Sequence, residues 1–188
     1  MYDSLPRSTM EQLAARMEAR NADVIIAVDP DIDRNGVAVL SRKTKRVNVF
    51  SLRFAETIER LQKLHDAANE RNERIVILIE GGWLNPSNWH FRYTDSKAKC
   101  AAMGRHVGMN HECGILLTEM CGHYNLPYRI IKPLEKRWQG RDGKITQDEI
   151  TQFIPDLPKR MNQDERDATL IAWVFAGFPI RINPLRKS

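Results

Sequence analysis

The chain has 188 residues, 42% of them hydrophobic and 28% charged, with a net charge of +5 and a pI of about 9.2. That composition suits one soluble domain with a real core, and no apolar run approaches the ~20 residues of a membrane span. The basic excess favours a polyanionic partner without establishing one.

The first 21 residues lack the apolar stretch of a secretory signal. Their Ser8-Thr9 start and the spacing of Met10, Leu13, Ala14 and Met17 predict a short amphipathic helix. Residues 23–29 read as a buried strand, 36–41 as a second and 46–53, "RVNVFSLR", as a third with period-2 alternation. The turns between them are short, so these three strands are expected in antiparallel hairpins. A helix over 55–71 carries Ile58, Leu61, Leu64, His65 and Ala68 on one face. "RIVILIE", 74–80, is a β-branched run of the kind buried on both faces of a sheet.

Residues 81–95 are loop-like, with Gly81-Gly82, Pro86 and four aromatics. Residues 96–124 predict one long helix or two, and "YRIIK", 128–132, a fifth strand. A basic loop at 133–145 leads to a helix over 147–154 capped by Thr146 and broken by Pro155 and Pro158. The last helix is expected at 163–176. The order predicts an α/β fold: a mixed five-stranded sheet, three antiparallel strands then two parallel, flanked by helices. The expected organisation is an N-terminal helical extension at 1–21, a main domain at 22–178 and a basic C-terminal tail at 179–188.

The cysteines Cys100, Cys113 and Cys121 are odd in number and contain no C-x-x-C, which points to free thiols in a reducing cytoplasm. "HECGILLTEMCGH" invites a zinc reading, but Cys113 and Cys121 are eight residues apart on a predicted helix. That separates them by roughly 12 Å along the axis, too far for one tetrahedral ion.

The chemistry lies in the carboxylates. Asp29, Asp31 and Asp33 alternate along "VDPDIDRNG", yet the EF-hand positions counted from Asp29 hold Arg34 and Leu40 instead of Gly and Glu. A calcium loop is excluded. Asp31 and Asp33 read as solvated turn residues. Asp29 ends an apolar strand, where an unpaired charge is costly. Glu80 ends the second such strand. If the helix between them is a crossover, the two strands are parallel neighbours and both acids leave the sheet at the same edge.

In "NQDERDATLIAWVFAG", Asn162 and Glu165 form a predicted capping box. Asp164 can serve the helix dipole. Asp167 opens a helix that is apolar nearly all round, and it shares a face with Asp164. Four carboxylates on rigid elements suit two magnesium ions, which can drive an in-line phosphodiester displacement.

At this point the sequence resembles a known family. "IIAVDP", "VILIE" and "DERDATLIAW" look like the three catalytic motifs of RuvC-type Holliday junction resolvases, of the RNase H-like superfamily, over residues 22 to 176. The resemblance implies an RNase H-like sheet and a homodimeric, magnesium-dependent endonuclease of DNA recombination and repair that nicks four-way junctions symmetrically. Asp29, Glu80, Asp164 and Asp167 would be catalytic metal ligands for two magnesium ions, with manganese as the expected substitute. Branched DNA and a second copy would be the partners, with no membrane.

It also implies that Trp83, three residues after Glu80, packs into the opened junction, although Trp83 could equally anchor its own loop. Basic residues after the fifth strand would contact phosphate; here they are Lys132, Lys136, Arg137, Arg141 and Lys144, with Lys132 and Lys144 the best matches. A solvated basic loop is the plain alternative. Ala101, Gly104 and Gly108 would let the long helix approach a second copy, or its own sheet. Asp31 stands where the family usually has Gly, which leaves cleavage preference open. Other readings keep the fold with an RNA–DNA hybrid, flap or fork as substrate, or reduce the chain to a non-catalytic nucleic-acid-binding module.

Overall fold

The computed structural model describes residues 7–85 and 94–182. Helix α1 (Arg7–Asn21) is followed by strands β1 (Val24–Asp29), β2 (Asn35–Ser41) and β3 (Val47–Leu52), then helix α2 (Phe54–Glu70) and strand β4 (Ile75–Glu80). Helix α3 (Lys97–His123), strand β5 (Tyr128–Ile131), the short helix α4 (Gln147–Ile150) and helix α5 (Gln163–Phe175) complete the order.

The five strands form one sheet in the order β3-β2-β1-β4-β5. β1 pairs antiparallel with β2 and parallel with β4, and β5 adds parallel to β4. This is the predicted mixed sheet. The two buried runs sit at its centre because only there are both faces covered.

The core divides along the alternation of the strands. Ile26 and Val28 of β1 and Ile77 and Ile79 of β4 pack with α2 and α3 through Ile58, Leu61, Cys113, Leu117 and Cys121. Ile25 and Ala27, with Val76 and Leu78, face the other way, onto α1 and α5. The side chains of Asp29 and Glu80 continue that second face by the same period of two.

Small residues on this face set how closely α5 lies. Ala27 and Ala38 are fully buried. At Gly36 an added Cβ would stand 2.1 Å from the Asp164 backbone oxygen, so the start of α5 rests directly on β2.

Two expectations are corrected. In α1 the predicted apolar face points outward, with Met10, Leu13 and Met17 exposed at 54%, 44% and 66%, while Ala15 and Ala19, and Ala22 just past its end, are buried. Polar anchors orient the helix instead: Gln12 donates to the Ile130 carbonyl and accepts from the Lys132 amide, and Glu18 pairs with Arg129. The helix expected over 147–154 is α-helical only to Ile150, where turns swing Phe153 and Ile154 into the core. Residues 96–124 form one helix, but Ala101 and Gly108 in its first half are exposed, so that half is not packed on its own sheet. The aromatics Trp89, Phe91 and Tyr93 of the 81–95 loop, and the tail from 183 onward, lie outside the described residues. No helix among the described residues is long and apolar enough to cross a membrane.

Candidate active site

β1 and β4 run parallel with Val28 opposite Ile79, so the next residues, Asp29 and Glu80, leave the sheet side by side. α5 covers them. Its capping box forms as predicted: Asn162 accepts from the Glu165 amide at 2.8 Å, and the Glu165 carboxylate accepts from the Asn162 amide at 2.6 Å. Asp167, one turn in, then faces the two strand-end acids. Asp29, Glu80 and Asp167 together line a cleft of about 330 Å³.

The electrostatics follow from that crowding. Burial pushes the Asp29 carboxyl well above its ordinary value, and the charges of Glu80 and Asp167 push it further. Burial, then Asp167, raises Glu80 to about 7 against the pull of Lys144 and Lys136. Among the described residues, no donor hydrogen-bonds to the carboxylate of Asp29 or of Glu80. Asp164 also titrates high, from burial and then from Asp31. It stands at the rim, where Asp31 is the acid acting on it most strongly.

Lys144 supplies the counter-charge. Its Nζ donates to Asp167 Oδ2 at 2.7 Å, with the two side chains 33% and 17% exposed. Burial alone would lower its pKa, but Asp167 and then Asp29 hold it above the ordinary lysine value. The loop that presents Lys144 is fixed from both ends. Glu149, buried at 3% exposure, accepts from the Gln139 amide at 3.0 Å and from the Thr146 amide and hydroxyl at 3.0 and 2.8 Å. Arg166 donates to the Ile145 carbonyl at 3.1 Å and to the Gln163 side chain at 2.7 Å. Gln163 in turn donates to Asp167 Oδ1 at 2.8 Å. Gln163 lies four residues before Asp167, on the same face, a spacing visible in the sequence. Arg166 holds loop carbonyls and leaves no local signal.

The other expected residues scatter. Lys136 lines the same cleft, as do Asn110 and His111 of α3. Lys132 and Arg137 face an adjoining groove, and exposed Arg141 lies 3.7 Å from Asp142. Trp83 is half-buried in a 3₁₀ turn, edge-on to His111 with ring centroids 6.5 Å apart. Its Cζ3 would be 2.5 Å from a Cβ added at Gly114, so α3 needs glycine there to receive the ring. Asp31 lies in the turn after β1 as expected, but it is half-buried rather than solvated. It accepts from the Asp33 amide at 2.9 Å and from the Asn110 side chain at 2.9 Å.

Among the described residues the acids do not close into a ready coordination cluster of three or more ligands. Their chemistry nevertheless fits a hard divalent cation. The donors are all carboxylates, two receive no hydrogen bond, and burial with mutual repulsion destabilises their charged forms until a cation neutralises them. Lys144 eases that demand at all three acids, but it makes a direct bond at Asp167 and not at Asp29 or Glu80.

No family model matches the chain, and no curated protein matches it in sequence. Among solved structures it is similar to T. thermophilus RuvC in complex with Holliday junction substrate. The two are 12% identical with a TM-score of 0.45, over 82% of this chain and 94% of that one.

Proposed function

We propose that this chain is a metal-dependent, structure-selective DNA endonuclease, a Holliday junction resolvase that nicks four-way junctions symmetrically as a homodimer. The observation that carries the reading is the meeting of Asp29, Glu80 and Asp167, from two neighbouring strand ends and a covering helix, in one cleft walled by Lys136 and Lys144. The three motifs that resemble the resolvases supply these same acids together with Asp164. Two magnesium ions held by Asp29, Glu80, Asp164 and Asp167 would supply an activated water and stabilise the leaving oxygen of the scissile phosphodiester.

The chain's own groups prepare that reaction. Lys144 Nζ, held on Asp167 Oδ2, is positioned to donate to a phosphate oxygen where negative charge develops. Lys136 adds positive charge on the same wall and draws the backbone in. Gln163 holds Asp167, and Glu149 holds the loop that presents Lys144, so both groups are fixed at the cleft wall. The expected products carry 5′-phosphate and 3′-hydroxyl ends.

The test offers purified protein four-way junctions, linear duplex, flaps and RNA–DNA hybrids with magnesium, beside Asp29→Asn. Symmetric junction nicking that the variant loses is the expected result. Cleavage of hybrid or flap alone reassigns the substrate. Binding without cleavage under any divalent metal removes the enzyme.

A further inference from the structure

A second groove, of about 360 Å³, adjoins the acidic cleft and shares Pro133, Leu134, Glu135, Trp138 and Leu170 with it. It lies between α1, the end of β5 and α5. Its basic lining is Arg16, Lys132 and Arg137 against the single acid Glu135, which Arg137 approaches at 4.0 Å.

Arg16 is the informative residue. Among the described residues it has no acidic partner, and its guanidinium lies 5.0 Å from the centroid of the Phe175 ring. A cation held over an aromatic face keeps its charge while losing little of its freedom to meet an anion. Its position is fixed one turn away. Gln12, four residues earlier on the same helix face, bonds the Ile130 carbonyl at 3.2 Å and the Lys132 amide at 2.9 Å. The Arg16 side and the Lys132 side of the groove are therefore parts of one rigid unit.

Resting on the nuclease reading, we propose that this groove carries the phosphate backbone of a duplex arm leaving the cleft, which makes α1 part of the nucleic-acid-binding surface. A basic rim over an apolar floor could also take an acidic peptide. Continuity with the cleft decides for nucleic acid, because a backbone seated by Lys136 and Lys144 runs out along the shared wall.

The test measures affinity of the full chain for labelled four-way junctions and linear duplex in EDTA across a salt series. Arg16→Ala and Arg137→Ala should each weaken binding about fivefold, with no dependence on sequence, and lower the slope of log affinity against log salt by about 1. Arg16→Lys should restore most of the slope. Arg137 is 72% exposed, so its replacement reports even if Arg16→Ala disturbs α1. Wild type that nicks junctions when magnesium is supplied, beside variants with an unchanged salt slope in EDTA, overturns the groove alone. Variant-dependent slopes in EDTA, with no cleavage of any substrate when magnesium is supplied, keep the groove and overturn the resolvase. A wild type that binds no DNA overturns both.

Discussion

Asp167 is the acid with the most defined surroundings, bonded by Lys144 at 2.7 Å and Gln163 at 2.8 Å. Asp167→Asn keeps the shape and the Gln163 contact while removing the charge. It should abolish cleavage and leave junction binding within a few-fold of wild type; retained activity would take Asp167 out of the metal site. Lys144 is the converse case. Lys144→Ala leaves a mostly buried carboxylate with a neutral partner, at a cost of about 1–3 kcal/mol without metal. Magnesium should recover most of that loss, because a cation does on Asp167 what the ammonium did. Melting curves with and without magnesium read it directly. An equal magnesium shift in wild type and variant would mean that Lys144 and the cation do not compete for Asp167.

At the scale of elements, the sheet and α5 carry the site through close backbone approach. Gly36→Ala places a methyl 2.1 Å from the Asp164 carbonyl oxygen, a clash with backbone that no rotamer change relieves. We expect a loss of about 2–3 kcal/mol in urea unfolding, with cleavage reduced further than stability because Asp164 and Asp167 move with α5. Wild-type stability would show that α5 is not seated on β2. Helix α3 offers a second check: burial pushes Cys113 up to about 11 and Cys121 up to about 12. A thiol reagent at pH 8 should label only Cys100 quickly in the native chain, and the other two on unfolding. Much of this was legible in the sequence. Two apolar runs that end in acids are hard to satisfy except as central parallel strands, and Asn162 with Glu165 marked the start of α5. The face α1 buries was not legible, because side-chain bonds from Gln12 and Glu18 to a distant strand outweighed its hydrophobic pattern. Nor was the inequality of Asp164 and Asp167, which depends on how far α5 overhangs the sheet.

For the whole molecule, the acidic cluster sets how stability responds to pH and metal together. Glu80 titrates at about 7 in the fold against an ordinary 4.5, and Asp29 is raised as well. Between those values the folded chain holds protons that the unfolded chain has released, so stability falls as pH rises through the window. The contribution is fully present below the unfolded value of 4.5 and is lost as pH passes the folded value near 7. Metal-free protein should therefore melt several degrees lower at pH 8 than at pH 5.5. Saturating magnesium should remove most of that fall, since ions then replace the protons and binding strengthens as the acids ionise. The neutral double variant Asp29→Asn/Glu80→Gln should flatten the metal-free profile and lose the magnesium response. A wild-type melting temperature that stays level or rises from pH 5.5 to 8 without metal would show that these acids are better solvated than the cleft allows. It would also remove the electrostatic case for a cation there, whatever the protein proves to cut.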